Sequence, residues 1–250
     1  MVARILFVAA SLGTIAGAEV CNPAAFQGVY GLQLTGQATI SGHSQPIISM
    51  GRLVFDGQGA VSGVSSVSFT GLYLGNPVTG MYEAHEDCSV SWSLQDDSGN
   101  HQHFAGTSAS DGGRIQFRQA DPGSPSQGTL IKTADACHDG DFQPRYRFTL
   151  SGDRINVDTG QVAGSVSVTG ILEHTGTQLT FRPASGTAAL SSGNVEVGAD
   201  CFVQLHLAIP IAGGDPVEMN FRGMLVDGGK QLLGMAVDPG TALSLRLTAP

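Results

Sequence analysis

The sequence predicts an all-β protein built from two tandem copies of a small antiparallel β-barrel. Three observations lead to this prediction: apolar and polar residues alternate with a period of two, turns rich in Gly and Asp separate the alternating segments, and the segments recur in the same order. Strict alternation is typical of strands with one buried face. Charged residues make up only 13% of the chain, which disfavours surface helices because they depend on Glu, Lys and Arg.

The first 18 residues are predicted to form a secretory signal peptide. Arg4 provides a basic start, residues 5–15 form a short apolar run, and Ala16-Gly17-Ala18 supplies small residues for cleavage after Ala18. The run is too short and too rich in glycine to span a bilayer well, and no later stretch of the sequence is long and apolar enough. We therefore expect a secreted or periplasmic protein without a membrane span.

The chain is acidic, with 12 Lys and Arg against 21 Asp and Glu and a formal net charge of −9. A protein with this charge, and with Lys132 and Lys230 as its only lysines, is a poor candidate for binding nucleic acid or anionic membranes. The expected partner is an unknown small molecule or an envelope protein, and the expected state is a monomer.

Landmarks of the first half recur in the second half. FQGVYGLQLTG at 26–36 returns as FQPRYRFTLSG at 142–152, and GMYEAHEDCSVSWSL at 80–94 returns as GNVEVGADCFVQLHL at 193–207. Three further landmarks follow in the same order in both copies: an Asp-Gly-Gly turn, an Asp-Pro-Gly turn and a last apolar strand. The period is too long for a solenoid unit, so a duplicated small domain is indicated. The predicted domains are 22–134 and 135–250.

Each copy contains about eight short predicted strands. In the first copy one strand starts at Cys88, and the others are 29–34, 51–55, 61–69, 103–107, 114–118 and 128–132. Eight strands suit a small closed barrel, which leaves no unpaired sheet edge. A two-sheet β-sandwich fits the same pattern and stays open as the alternative.

The four cysteines are predicted to form one disulfide in each copy. Each copy has one cysteine before its first strand and one at the start of its middle strand, which pairs Cys21 with Cys88 and Cys137 with Cys201 in an oxidising compartment. There is no Cys-x-x-Cys pair, so a metal thiolate site is disfavoured. No metal and no other cofactor is predicted.

Two polar clusters are the strongest candidates for chemistry. The segment EAHED at 83–87 offers carboxylates and an imidazole, but only its first Glu and its Asp recur in the second copy, where Gly198 replaces His85. We interpret the recurring acids as a turn feature. His101 and His103 share one face of a strand, and alternation places that face toward solvent.

No catalytic motif is recognised, and no catalytic residue is assigned. The leading interpretation is a non-enzymatic protein that binds a small apolar ligand or another envelope or extracellular component. A structural or interaction protein of the cell envelope, and a secreted hydrolase or isomerase without a recognisable motif, are the alternatives. Alternation points six side chains inward, where they either fill the core or line an apolar pocket. These are Tyr30, Leu32, Val90, Trp92, Tyr146 and Phe148.

The landmarks of the first copy resemble a group of uncharacterised secreted β-rich proteins of soil bacteria. The shared features are a Tyr-Gly start at 30–31, a Phe-Asp-Gly-x-Gly turn at 55–59 and a Gly-x-Tyr…Asp-Cys motif at 80–88. The resemblance covers most of 26–133 and, more loosely, 142–248, where His-Thr-Gly replaces the Phe-Asp-Gly of the turn. It implies export and a small β-barrel-like domain, and it carries no catalytic residue over because the group has no known activity.

Overall fold

The fold is known from a computed structural model that describes residues 20–40, 43–69, 71–184, 191–210 and 216–250. The predicted signal peptide, residues 1–18, lies outside these ranges. In the part of the chain that the structure describes, no helix has the length and apolar character of a membrane span.

The first half of the chain forms a closed antiparallel barrel in which each strand pairs with the next and β8 pairs with β1. Its strands are β1 Gly28–Ile40, β2 His43–Phe55, β3 Ala60–Phe69, β4 Leu72–Ala84, β5 Ser89–Asp96, β6 His101–Ser108, β7 Arg114–Gln119 and β8 Gln127–Lys132. A short 3-10 helix, Pro23–Ala25, precedes them.

The second half forms another closed barrel, in which β16 pairs with β9. Its strands are β9 Arg145–Ile155, β10 Val162–Thr175, β11 Gln178–Pro183, β12 Ser191–Val197, β13 Phe202–Ile209, β14 Val217–Val226, β15 Gln231–Ala236 and β16 Thr241–Thr248. The 3-10 helix Asp139–Asp141 precedes it. Two tandem eight-stranded barrels confirm the predicted fold class and exclude the sandwich.

Several strands are longer than the sequence predicted. β1 was expected at 29–34, yet β1, β2 and β4 each have 13 residues, whereas β7 and β8 have six. Beyond Leu34 the apolar alternation fades, but the backbone ladder continues as far as the pair Ile40 and His43. Backbone hydrogen bonds do not require an apolar face, so the two strands stay paired beyond the residues that show the alternating pattern. The long hairpins therefore project past the short strands at one end of the first barrel.

Both predicted disulfides are present. The Cα atoms are 5.1 Å apart in Cys21–Cys88 and 4.9 Å apart in Cys137–Cys201. Each bridge ties the segment before a barrel's first strand to the turn before its fifth strand, as the duplication indicated.

The prediction that a strand starts at Cys88 is wrong by one residue. Cys88 and Cys201 both have φ of 67°, which places them in turns, and β5 starts at the next residue. The recurring Asp explains this turn. Asp87 Oδ1 accepts hydrogen bonds from the backbone N–H of Ser89 at 2.9 Å and from its hydroxyl at 2.6 Å, and Asp200 Oδ1 accepts from the N–H of Phe202 at 3.2 Å. Such local bonds stabilise a turn without any ligand.

The two barrels pack together through the outer faces of their strands. The first barrel contributes outward apolar side chains of β1, β2 and β8 to the core cluster of the second barrel, where they meet outward side chains of β14 and β15. These residues are Val29, Ile48, Met50 and Ile131 on one side and Met224, Val226, Leu233 and Met235 on the other. Residues 232–236 are therefore buried without interruption, as in strands covered on both faces.

Polar contacts accompany this apolar interface. The Thr133 hydroxyl donates to the carbonyl of Leu225 at 2.7 Å, and the N–H of Asp227 donates to the carbonyl of Lys132 at 3.0 Å. Gly31 lies at a close approach of the two barrels, because a Cβ built on it would stand 2.5 Å from Val226 Cγ1. The junction between the barrels is therefore packed as a protein interior is packed.

Replacing Gly31 with Ala is expected to lower the free energy of unfolding by about 1–3 kcal/mol, because the new methyl group overpacks the junction. Urea unfolding followed by the fluorescence of the single tryptophan, Trp92, measures the change. Gly140→Ala is the matched control, since no atom lies within 4 Å of its added methyl group. The control should stay within about 0.5 kcal/mol of the parent protein. Equal stabilities of the two variants would contradict a closely packed junction.

Candidate ligand-binding site

One end of the first barrel is filled by aromatic side chains. Phe26, Tyr30, Phe55 and Tyr82 form a cluster whose ring centroids lie 4.5–5.4 Å apart. The Tyr30 hydroxyl donates to the carbonyl of Gly112 at 2.8 Å, and the Tyr82 hydroxyl donates to the carbonyl of Phe26 at 3.2 Å. Burial raises the pKa of Tyr30 above its ordinary value, so the phenol stays neutral as a hydrogen-bond donor. This end of the barrel is closed.

A second aromatic layer crosses the middle of the barrel. Trp92 stacks on Phe104 with centroids 5.2 Å apart and meets the edge of Phe117 at 4.9 Å. All three side chains are buried, and the indole Nε1 of Trp92 has no hydrogen-bond partner among the described residues. The middle of the barrel is thus solid and apolar.

Beyond this layer the barrel is hollow. A cavity of about 600 Å³ extends from the Phe104 ring to the end where the long hairpins project. Two serine hydroxyls, of Ser49 and Ser65, lie in the wall of its deep part and bond to each other at 3.1 Å. The remaining deep lining is apolar and consists of Leu32, Leu34, Ile47, Val78, Leu94 and Phe104. These residues come from five strands and face inward because of the period-two alternation of each strand.

Polar side chains surround the mouth of the cavity, among them Asn76, Gln102, Gln119 and Asp96. Asp96 caps the turn between β5 and β6. Its Oδ1 accepts hydrogen bonds from the Ser98 hydroxyl at 2.6 Å and from the N–H groups of Ser98 and Asn100 at 3.0 and 2.9 Å. The bond from the Ser98 hydroxyl is the largest cause that lowers the pKa of Asp96, to about 2. The mouth therefore keeps a fixed negative charge at neutral pH.

An apolar lip stands beside this polar mouth. Phe69, Leu72 and Leu74, at the turn between β3 and β4, are 36%, 44% and 48% exposed, and Phe69 and Leu74 also line the cavity. They lie on the part of the hairpin that projects past the short strands. Large apolar side chains that meet water next to a cavity are typical of a binding site.

The Asp-Pro-Gly turns support the barrel walls from outside. Asp121 Oδ2 accepts from the N–H of His103 at 2.9 Å, and Asp121 Oδ1 lies 2.8 Å from His103 Nδ1. In the second copy Asp238 accepts from the N–H of Asn220 at 2.7 Å and from its side-chain amide at 2.8 Å. The recurring Asp thus has a structural role, and it accounts for the position of His103.

The other polar candidates stay at the surface. His85 Nε2 is 3.9 Å from Glu83 Oε2, and both side chains are mostly exposed at the closed end of the barrel. His101 is exposed beside the mouth of the cavity. Within the described ranges, no group of three or more His, Cys, Asp and Glu side chains is placed to hold a metal ion.

Of the six side chains predicted to fill the core or line a pocket, Leu32 lines the cavity. Tyr30, Val90 and Trp92 are buried in the filled part of the same barrel. Tyr146 and Phe148 are fully buried in the second barrel, where the Tyr146 hydroxyl donates to the carbonyl of Gly229 at 2.6 Å.

Sequence reasoning missed most of the cavity wall. Leu34, Leu94 and Phe104 occupy inward positions of predicted strands, so alternation alone could have marked them. Ile47 and Val78 lie on parts of β2 and β4 that were not predicted as strand. No local pattern distinguishes a side chain that fills a barrel from one that lines its hollow part.

No family model matches the chain, and no curated protein matches it either. Among solved structures, the chain is similar to the crystal structure of a double mutant of the vaccine antigen Transferrin Binding Protein B from Haemophilus parasuis Hp5. The sequences are 8% identical, the match covers 88% of this chain and 75% of the other, and the TM-score is 0.30. A likeness of this size carries no inference about function.

Asp96→Ala is expected to lower the free energy of unfolding by about 1 kcal/mol at neutral pH, because the turn at the cavity mouth loses its charge-assisted hydrogen bonds at a solvent-screened site. The lowered pKa of Asp96 means that this stabilisation is present above the unfolded value of about 3.9 and is lost as pH falls to about 2. The difference from the parent protein should therefore shrink across this range, as measured by urea unfolding.

Asp97→Ala is the matched control for that experiment. It removes the same charge from an exposed neighbour whose side chain makes no hydrogen bond in the described structure. This variant should show little loss at neutral pH. A loss as large as that of Asp96→Ala, or one that does not change with pH, would count against the role given to Asp96.

Proposed function

We propose that the protein is a secreted or periplasmic, non-enzymatic binding protein whose first barrel holds a small amphipathic molecule. The observation that carries this proposal is the cavity of about 600 Å³ above the Trp92–Phe104 layer. Ligand pockets for small molecules commonly measure about 300–1,000 Å³ and combine an apolar lining with a few polar groups. The cavity has this size and this composition.

The depth of the cavity favours an apolar part of the ligand. Leu32, Leu94 and Phe104 form walls without hydrogen-bonding groups, so a polar group placed there would lose its bonds to water. Burying apolar surface instead contributes about 25 cal/mol per Å². The buried end of the ligand is therefore a hydrocarbon or an aromatic ring.

The mouth favours a polar end. Asn76, Gln102 and Gln119 offer amides that both donate and accept hydrogen bonds, and they lie at the level where the cavity opens to water. The apolar lip of Phe69 and Leu74 gives the ligand an entry surface on the β3–β4 hairpin. A molecule with one apolar and one polar end satisfies both zones.

Export fits this role. The predicted signal peptide and the two disulfides, Cys21–Cys88 and Cys137–Cys201, support a secreted or periplasmic location, since disulfides persist in oxidising compartments. A soluble barrel that encloses the apolar part of a ligand would carry that ligand through water.

The proposal is tested with the neutral fluorescent probe N-phenyl-1-naphthylamine. The protein should bind the probe saturably, at one site, with increased fluorescence. Ala38→Trp places a large ring on a cavity-lining position of β1 and should weaken binding at least tenfold, because the ring occupies the space of the probe.

Thr39→Trp is the matched control, since it adds the same ring at the next, exposed position of the same strand. Binding by this variant should equal that of the parent protein. Absence of saturable binding, or equal binding by both tryptophan variants, would reject the cavity as a ligand site and favour a structural or interaction role in the envelope.

A further inference from the structure

A second concave site lies on the outside of the molecule, in the groove between the two barrels. It measures about 610 Å³, and its walls are formed by β1, β2, β7 and β8 of the first barrel and by β9 and β16 of the second. The groove borders the apolar junction, and its polar lining consists mainly of hydroxyl and carboxamide side chains, together with Arg246 and Asp153. The Asp153 carboxylate accepts a hydrogen bond from the Ser165 hydroxyl at 2.7 Å. It shares Ile47 with the barrel cavity but opens on another face of the chain.

The strand registers arrange these polar side chains in rows. In the first barrel Thr129 pairs with both Gln116 and Gln33, so the three stand side by side across β7, β8 and β1. In the second barrel Arg246 pairs with Thr149 across β16 and β9. The next row contains Gln127 beside Thr35 on one wall and Ser244 beside Ser151 on the other. Both walls thus present groups that donate and accept hydrogen bonds.

A buried glutamine joins the two rows and orients the arginine. Gln33 is 3% exposed, and its Nε2 donates to the carbonyls of Gly234 and Leu245 at 2.8 and 3.0 Å. These two bonds leave its Oε1 directed at Arg246, whose Nη2 donates to it at 3.0 Å. The guanidinium is therefore held in place before any ligand arrives, which reduces the entropy cost of binding.

The charge of Arg246 is not neutralised in the described part of the chain, where neither Arg246 nor its neighbour Arg114 forms an ion pair with a carboxylate. Arg114 instead donates to Gln231 Oε1 at 3.2 Å. Arg246 is exposed by its surface area, but partial desolvation of its guanidinium lowers its pKa below the ordinary value, and the like charge of Arg114 adds to this effect. Arg114 lies near Arg246 without lining the groove, and the groove's carboxylate, Asp153, lies four residues along β9 from Thr149, the strand partner of Arg246. An anion is therefore favoured at the Arg246 end of the groove.

We propose that this groove binds an acidic saccharide, a sugar whose carboxylate pairs with Arg246 while its hydroxyls bond to the surrounding threonine, serine and glutamine side chains. The planar guanidinium matches a carboxylate through two parallel hydrogen bonds. Among the residues that the structure describes, Arg246 donates to Gln33, which leaves other guanidinium N–H groups for a ligand. Hydroxyls on both walls suit a polyhydroxylated ligand better than an apolar one.

The test uses trigalacturonate as the probe and its uncharged methyl ester as the comparison, in isothermal titration calorimetry at low salt. The parent protein should bind the acid and bind the ester at least tenfold more weakly. Arg246→Gln should weaken binding of the acid at least tenfold, since it removes charge-assisted hydrogen bonds. Arg182→Gln, which removes an exposed arginine from β11, three strands from β16, should leave binding unchanged.

A second variant is needed because Arg246→Gln could weaken binding by disturbing the junction of the barrels. Thr149→Val keeps Arg246 and Gln33 and removes one hydroxyl beside them, and it should weaken binding about two- to tenfold. Ala38→Trp, inside the first barrel, should not affect trigalacturonate. Lack of binding by the parent protein, equal affinity for the acid and its ester, or full affinity in both groove variants would overturn the proposal.

Discussion

The close packing of the two barrels through their outer faces is the constraint on which the other features depend. Strands β1, β2 and β8 meet β14 and β15 over an apolar surface, and Gly31 permits the approach because it has no side chain to meet Val226. This contact buries Gln33 and gives it two backbone carbonyls of the second barrel as partners. The groove beside the junction, and the orientation of Arg246 within it, exist only because the barrels are held together in this way.

The duplicated barrels use equivalent strands differently. In the last strand of each barrel, Thr129 and Arg246 occupy equivalent register positions and both line the groove, where a hydroxyl of the first barrel is matched by a guanidinium of the second. Features that recur, such as Asp87 with Asp200, form turns and disulfide anchors. Part of the cavity wall recurs as well, since Leu34, Leu94 and Phe104 have the counterparts Leu150, Leu207 and Phe221, which are buried in the second barrel. The cavity of the first barrel is therefore built partly from positions that both copies share.

The first barrel is filled at one end and open at the other because its strands differ in length and its aromatic side chains are unevenly distributed. Phe26, Tyr30, Phe55 and Tyr82 occupy the disulfide-bonded end, and Trp92 with Phe104 closes the middle. Past this layer the barrel walls carry smaller side chains, on hairpins that extend beyond the ends of β7 and β8. Eight strands leave little interior space, so removing large rings from one half is enough to make a cavity.

The sequence by itself determined the all-β class, the duplication, the disulfide pairing and the inward face of strands such as β5, because alternation and repeated spacing are local properties of the chain. It also directed Leu32 and Trp92 inward, but it left open which inward side chains fill the core and which line a cavity. Tertiary structure decided which half of the barrel is hollow, that 232–236 is buried on both faces, and that Gln33 meets Arg246 from 213 residues away. These outcomes depend on how two closed surfaces fit together, and no local pattern encodes the distance between side chains on different barrels.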